Sequence, residues 1–153
     1  MENQLVVFKL ANEYYGVDIA LVESIIKMQP LVAVPHAPDF IEGVTNLRGV
    51  VLSVVDLRKR FGLPNIEANK DTRIIVVEIN NLTVGMIVDA VTEVLRLQEE
   101  SIQPPPPLMV TAASAFITGI AKIDERLVIL LDLKKVLSIE ETTQLSAAEI
   151  NAV

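Results

Sequence analysis

An internal duplication is the feature that most constrains what this chain can fold into. Residues 117–123 match residues 41–47, and residues 127–135 match residues 51–59, both at a spacing of 76 positions. The matched runs are short, apolar and rich in Val, Ile and Leu, a composition typical of strands that are covered on both faces. The duplication therefore predicts a repeated set of buried strands.

The first part of each copy also repeats, at a spacing of 69 positions. Residues 75–79 match residues 6–10, and Gly85 falls on Gly16. Because the match now includes the beginning and the end of each copy, the whole chain is best described as two related units. The units cover about residues 5–62 and 73–139.

Each unit supplies about five short strands, separated by regular turn signals that favour small closed barrels. A unit of about 65 residues would be marginally stable alone, so the two units are expected to share a core. We therefore predict one mainly β domain over residues 1–153, with two five-stranded barrels packed side by side and a few short helices. Residues 140–153 are predicted to form a polar C-terminal tail.

The clearest difference between the copies lies in one turn. Arg48 and Gly49 occupy this turn in the first copy, and Asp124 and Glu125 stand at the equivalent place in the second. Glycine readily adopts a positive φ, so Gly49 suits a tight turn that directs Arg48 outward. Two interpretations stay open: the turn serves a function in which the copies differ, or the turn sequence has simply drifted.

Asp56 and Asp132 follow matching apolar runs in the two copies. An aspartate at a strand-to-helix junction accepts hydrogen bonds from the first N–H groups of the helix, so each is predicted to be a helix cap. The first of these short helices is expected to run over residues 57–61, with Gly62 as its stop. A catalytic dyad is the alternative, but the matching junctions favour the capping role.

Composition argues against several classes of function. The net charge is −7, and the three-residue basic cluster at residues 58–60 is interpreted as the solvated face of the short helix. Nucleic-acid binding requires a basic footprint that this chain lacks. The sequence contains no cysteine, which excludes disulfides and thiolate chemistry.

The sequence predicts a cytoplasmic protein without direct membrane insertion. The first residues carry no basic segment followed by an apolar core, so no signal peptide is recognised. The longest uncharged stretch, residues 101–121, contains prolines at all of positions 104–107 and cannot form a membrane-spanning helix.

Candidate catalytic chemistry is also missing from the sequence. His36 is the only histidine, and no second metal ligand stands at a suitable spacing from it. No phosphate-binding glycine loop or nucleophile motif occurs. We expect no catalytic, metal or cofactor site; an enzyme would need a polar pocket that the sequence does not indicate.

Apolar residues at helical spacing predict a helix over residues 21–26, capped by Asp18 and ended by Pro30. Residues 90–97, which match this segment, fit either a helix or a strand. Residues 31–35 are bounded by prolines and predict a short edge strand. Two barrels side by side would leave a groove between them. The candidates to line this groove are Val22, Ile25, Val91 and Val94, and for each of them a position in the core is an open alternative.

The run GVTNLRG at residues 43–49, followed by VVDLR at residues 54–58, resembles the signature of the CheW family of bacterial chemotaxis adaptors. Residues 15–19 and 84–89 support the resemblance, which extends over residues 5–139. The family fold consists of two small SH3-like five-stranded barrels, in agreement with the expectation above.

The resemblance implies a non-enzymatic adaptor without a cofactor. Proteins of this family link the histidine kinase CheA, through its CheW-like regulatory domain, to the cytoplasmic tip of methyl-accepting chemoreceptors, and so are recruited to membrane receptor arrays. By position, Arg48 and Gly49 fall on the turn implicated in receptor coupling. The residues that fall on positions associated with the receptor or kinase surfaces are Val22, Gly43, Gly85, Val91 and Val94.

One departure and two alternatives accompany the resemblance. The family often has an acidic residue where this chain has Ser24, and the adjacent Glu23 would point elsewhere on a helix. A similar domain also forms the coupling part of CheV-type proteins, but the chain stops soon after the fold ends, so no receiver domain is expected. A chemosensory pathway with an output other than motility is the second alternative.

Overall fold

A computed structural model describes residues 2–37, 41–79, 81–106 and 116–136. In these ranges it contains eleven strands, two short α-helices and two single 3₁₀ turns. The 3₁₀ turns lie at Ile19–Leu21 and Glu99–Ser101, and the helices are α1 (Leu57–Arg60) and α2 (Leu133–Val136). The strands are β1 (Glu2–Leu10), β2 (Glu13–Asp18), β3 (Val22–Lys27), β4 (Ile41–Leu47), β5 (Val50–Asp56), β6 (Arg73–Ile79), β7 (Leu82–Val88), β8 (Ala90–Gln98), β9 (Ile102–Gln103), β10 (Ile117–Ile123) and β11 (Arg126–Leu131).

The strands form two sheets, which correspond to the two small SH3-like barrels. One sheet has the order β8-β1-β2-β11-β10-β9, and the other has the order β3-β6-β7-β5-β4. Neighbouring strands are antiparallel except for two parallel pairs, β2 with β11 and β5 with β7. The prediction of a mainly β fold with two barrels and a few short helices is confirmed.

Each sheet takes strands from both copies of the duplicated sequence. The hairpin β1–β2 of the first copy lies beside β10–β11 of the second, and the hairpin β6–β7 of the second copy lies beside β4–β5 of the first. The two parallel pairs are the seams at which the copies meet. Because each copy completes the sheet of the other, neither barrel is made from one copy alone.

Three apolar clusters fill the molecule. One cluster lies inside each barrel: Leu5, Val7 and Val128 are members of the first, and Leu52 and Ile74 of the second. The third, which we call the shared core, is the largest and joins the barrels. It includes Val6, Phe8, Leu10, Val17, Ile41, Val55, Leu57, Ile75, Val77, Ile79, Val84, Met86, Val88, Leu131, Leu133 and Val136. Burial of these side chains provides the main driving force for folding.

The predicted helix over residues 21–26 is wrong, because Ile19–Leu21 is a 3₁₀ turn and residues 22–27 form strand β3. Asp18 does cap the turn, and its Oδ1 accepts a hydrogen bond of 2.9 Å from the N–H of Ala20. The apolar spacing misled the prediction because β3 contains a bulge at Glu23. A bulge places residues three apart on one face of a strand, which imitates helical periodicity. The matching residues 90–97 are likewise part of a strand, β8.

Both predicted aspartate caps are confirmed. Asp56 Oδ1 accepts a hydrogen bond of 2.9 Å from the N–H of Arg58 at the start of α1, and Asp132 Oδ1 accepts one of 3.0 Å from Lys134 at the start of α2. Gly62 follows α1 with a φ of 72°, as its predicted stop requires.

The segment at residues 31–35 was predicted to be an edge strand, and it makes a single bridge between Val32 and Val44 at the edge strand β4.

The predicted tail at residues 140–153 and the last of the four consecutive prolines lie outside the described residues. In the described part of the chain, no helix is long and apolar enough to cross a membrane.

Candidate functional site

The turn between β4 and β5 is a two-residue hairpin turn that presents Arg48 to solvent. Arg48 and Gly49 have φ values of 53° and 85°, the combination that defines the tight hairpin turn matched to strand twist. The side chain of Asn46 supports the turn, because its Oδ1 accepts a hydrogen bond of 2.8 Å from the N–H of Gly49. The predicted outward arginine is therefore confirmed in its geometry.

The corresponding turn between β10 and β11 has the opposite charge. Asp124 has a φ of 55°, so the chain again reverses through the left-handed region. Ile123 pairs with Arg126 across this turn, as Leu47 pairs with Val50 across the first. The duplication thus keeps a hairpin at both sites and changes the charge that its tip carries.

Val91 and Val94 lie on one face of β8. Val94 is opposite Val6 on β1, and Val91 is opposite Phe8, with a register shift at Thr92. Since Val6 and Phe8 are two residues apart on β1 and both belong to the shared core, their partners also face the region between the barrels. Val91 packs against the shared core, whereas Val94 is 52% exposed.

The equivalent strand β3 repeats this arrangement. Val22 is opposite Val77, and Ile25 is opposite Ile75, on the two sides of the bulge at Glu23. Val77 and Ile75 belong to the shared core, and Val22 packs against it, whereas Ile25 is 40% exposed. The bulges therefore place a half-buried and an exposed apolar side chain together on the inter-barrel face of each strand. We call these four residues, Val22, Ile25, Val91 and Val94, the inter-barrel apolar pairs.

Gly43 and Gly85 were predicted with the surface positions, but both are buried. A Cβ atom on Gly43 would lie 2.5 Å from the backbone oxygen of Val32, so this glycine permits the bridge between the 31–37 segment and β4. A Cβ atom on Gly85 would lie 2.7 Å from Cγ2 of Ile74 inside a barrel. A side chain at either position would therefore disturb the local packing.

The basic cluster at residues 58–60 was interpreted as solvated, and this interpretation is wrong for Arg58, which is buried. Its Nε donates a hydrogen bond of 2.7 Å to Asp89 Oδ1, and its Nη2 one of 2.5 Å to Asp89 Oδ2. Lys59 forms an ion pair with Glu42. Arg60 Nε donates a hydrogen bond of 2.8 Å to the backbone oxygen of Val136, which joins α1 to α2.

The Arg58–Asp89 pair was missed because the partners are 31 positions apart. A signal was present, since Arg58 and Asp89 are the last residues of the runs at 54–58 and 84–89 that carry the family resemblance. Partial burial alone would raise the pKa of Asp89, but the hydrogen bonds from Arg58 and from the N–H of Ala11 outweigh it and lower the pKa below its ordinary value. The same pair raises the pKa of Arg58.

No group of three or more His, Cys, Asp or Glu side chains in the described ranges is placed to hold a metal ion. His36 is exposed, in a turn with a φ of 63°. The carboxylates of Asp56 and Asp132 each cap a separate helix, which is the role expected from the duplication.

Comparisons with known proteins agree with this architecture. The family model described as "CheW-like domain" matches residues 4–141. Chemotaxis protein CheW of Klebsiella aerogenes is 41% identical over 138 residues, which span 90% of this chain and 83% of that protein. Chemotaxis protein CheW of Bacillus subtilis is 36% identical over 139 residues, which span 91% of this chain and 89% of that protein.

A crystal structure of scaffolding protein TtCheW from Thermoanaerobacter tengcongensis aligns with a TM-score of 0.81 and 45% sequence identity, covering 92% of this chain and 91% of that one. Two interlocked SH3-like barrels with a shared core are thus the mainly β architecture that this chain shares with that scaffolding protein. The chain belongs to the CheW-like family. The family resemblance found in the sequence is thereby confirmed.

Proposed function

We propose that the chain is a non-enzymatic adaptor that couples methyl-accepting chemoreceptors to the histidine kinase CheA. The kinase would be bound through its CheW-like regulatory domain, and the receptors through their cytoplasmic tips. Such an adaptor works in the cytoplasm and reaches membrane receptor arrays through its partners, without a cofactor, nucleic acid or direct membrane insertion. Membership of the CheW-like family and the names of the chemotaxis relatives support this proposal.

The observation that carries the proposal is the arrangement of the inter-barrel apolar pairs. Val94 and Ile25 are large apolar side chains that remain 52% and 40% exposed, each beside a neighbour anchored in the shared core. Aliphatic side chains held in a fixed position on a packed base suit a protein interface, because little side-chain entropy is lost on binding. We assign this surface to the kinase or the receptor.

Arg48 would form the second contact of the adaptor. A guanidinium at the tip of a hairpin offers a planar set of donors to a carboxylate or a backbone carbonyl. The tip is preorganised by the Asn46–Gly49 hydrogen bond, which fixes the turn before a partner arrives. We assign Arg48 and Gly49 to the coupling of receptor to kinase.

The test replaces Val94 by Asp, with Ile66→Asp as the matched control. Both side chains are apolar and 52% exposed, but Ile66 lies in the connector between α1 and β6 and belongs to neither of the two strands that carry the apolar pairs. Binding to the CheA regulatory domain and to receptor tips is measured by calorimetry after circular dichroism has shown that each variant melts cooperatively. We expect Val94→Asp to lose at least about thirtyfold in affinity, the size of a typical hot spot.

Ile66→Asp should bind like the unchanged protein. If the unchanged protein binds neither the kinase domain nor receptor tips, the adaptor function is refuted. If it binds and Val94→Asp binds both partners equally well, the function stands and the assignment of the surface is wrong.

A further inference from the structure

The chain passes from one sheet to the other at two points in the described residues. The first lies between β2 and β3, where Ile19–Leu21 forms a 3₁₀ turn. The second lies between β7 and β8, where Asp89 alone separates the strands. These two crossovers correspond to each other in the duplication, and Asp89 falls on Ala20.

Asp89 is tied to both barrels. Its carboxylate accepts two hydrogen bonds from Arg58 of α1, which follows β5 in the five-stranded sheet. Its Oδ2 also accepts a hydrogen bond of 2.9 Å from the N–H of Ala11, in the turn between β1 and β2 of the other sheet. The N–H of Asp89 itself donates one of 3.0 Å to the backbone oxygen of Lys9.

Arg58 is held as firmly as its partner. Besides the two bonds to Asp89, its Nη1 donates a hydrogen bond of 2.7 Å to the backbone oxygen of Pro64. The side chains of Arg58 and Asp89 are only 11% and 21% exposed. A bidentate arginine–carboxylate pair at this depth fixes direction as well as distance.

The two crossovers therefore differ in a way that the duplication does not require. Alanine at position 20 has no group that could form an ion pair, and the first crossover is supported by the Asp18 cap. The second crossover carries a buried ion pair immediately before β8. Strand β8 bears Val91 and Val94, so whatever orients the start of β8 also orients this apolar pair.

We propose that Arg58 and Asp89 are positioning residues for the partner-binding surface on β8, a role that rests on the proposed adaptor function. The ion pair holds the crossover in one geometry relative to both barrels, and so presents Val91 and Val94 to the partner without contacting it. Breaking the pair loosens β8 and lowers affinity, while the strands that pair elsewhere keep their structure.

The experiment compares Asp89→Asn, Arg58→Met and Arg58→Lys with the control Lys59→Met. Asp89→Asn keeps an acceptor for the N–H of Ala11 and removes the charge, and Arg58→Lys keeps the charge but loses the planar fork. Lys59→Met removes the neighbouring ion pair with Glu42, which does not involve the crossover. Affinity for the CheA regulatory domain and for receptor tips is measured where urea titration shows each variant to be folded. Amide hydrogen exchange of β8 and β6 is measured on the same variants.

We expect Asp89→Asn and Arg58→Met to lose about tenfold in affinity, in the range typical of coupling between separate sites. Amide exchange should accelerate more in β8 than in β6. Arg58→Lys should recover part of the loss, and Lys59→Met should stay within about twofold of the unchanged protein.

The proposal is overturned if the folded variants bind like the unchanged protein, or if the affinity falls only in proportion to the unfolded fraction. Uniform acceleration of exchange in β6 and β8 also overturns it, since that result marks a purely global loss of stability. If Asp89→Asn fails to fold, Arg58→Lys decides by the same criteria. Failure of the unchanged protein to bind any partner refutes the adaptor function separately, and the exchange pattern still tests the ion pair.

Discussion

Gly85 offers a test of whether a residue with a predicted interface role acts through packing. Its Cβ position lies 2.7 Å from Cγ2 of Ile74, and also 3.3 Å from Cδ2 of Leu52. Ile74 is fully buried and β-branched, so its methyl group cannot move away cheaply. Gly85→Ala therefore forces a shift within a packed barrel rather than adding a harmless methyl group.

The magnitude follows from two opposing effects. Overpacking of a well-filled core costs about 1–3 kcal/mol. Replacing glycine by alanine within a strand returns about 0.5–1 kcal/mol, because alanine has less conformational entropy to lose on folding. The difference spans about 0–2.5 kcal/mol, and we expect Gly85→Ala to lower the free energy of unfolding by about 1 kcal/mol, near the middle of this range.

The duplication provides the matched control, Gly16→Ala. Gly16 occupies the equivalent strand position, but its Cβ would lie 3.3 Å from the nearest atoms, which are side-chain methyl groups of Leu130 and Val128. A displacement of a few tenths of an ångström relieves these contacts. The stability of Gly16→Ala should therefore stay within about 0.5 kcal/mol of the unchanged protein.

Urea titration gives both free energies, and calorimetry gives the affinity of the folded protein for the CheA regulatory domain. Gly85→Ala should be less stable than Gly16→Ala and should bind with nearly unchanged affinity wherever it is folded. Equal stability of the two variants would refute the packing argument. A loss of affinity at unchanged stability would show instead that Gly85 belongs to the interface itself.

Three further predictions concern other parts of the molecule. Arg48→Glu should leave thermal melting unchanged and abolish receptor-stimulated kinase activity in a reconstituted mixture. Arg48→Ala should reduce this activity less. Full activation by Arg48→Glu at a limiting concentration of the protein would contradict the role of the turn. Division of the chain near Asn69 should give two halves that do not melt cooperatively on their own, because each barrel takes strands from both copies. Two halves that fold independently would refute the shared core. Asp89→Asn should cost more stability at pH 7 than at pH 3. A carboxylate with a lowered pKa stabilises the fold fully above its unfolded pKa of about 4, and this stabilisation declines as pH falls towards the folded value. An equal cost at both pH values, measured by urea titration, would exclude the ion pair as its source.

The sequence was sufficient to predict most of the strands, the two barrels and the helix caps, because these depend on local patterns. Apolar runs such as residues 51–55 indicate buried strands wherever they occur, and an aspartate at a strand end indicates a cap. The exchange of strands between copies was not predictable in this way. A copy that folds on itself and a copy that completes its partner bury the same side chains, so the duplicated pattern fits both topologies.

The errors of prediction have identifiable physical causes. The bulge at Glu23 places Val22 and Ile25 on one face of β3, and this spacing is also that of a helix. Arg58 was misjudged because the burial of a charged side chain depends on a partner, and Asp89 is brought to it only by the tertiary fold. Whether Val94 is exposed or buried likewise depends on how the two barrels pack against each other.

Two of the differences between the copies lie at positions to which we assign function. Where both copies need the same local structure, they keep the same residue, as with the caps Asp56 and Asp132. Where a position carries a charge that a partner or a crossover requires, the copies differ: Arg48 stands against Asp124, and Asp89 stands against Ala20. A duplicated scaffold needs equivalent packing in both copies, but an adaptor that holds two different partners needs surfaces that are not equivalent. The asymmetric charges at the hairpin turn and at the crossover would supply that difference while the shared core stays intact.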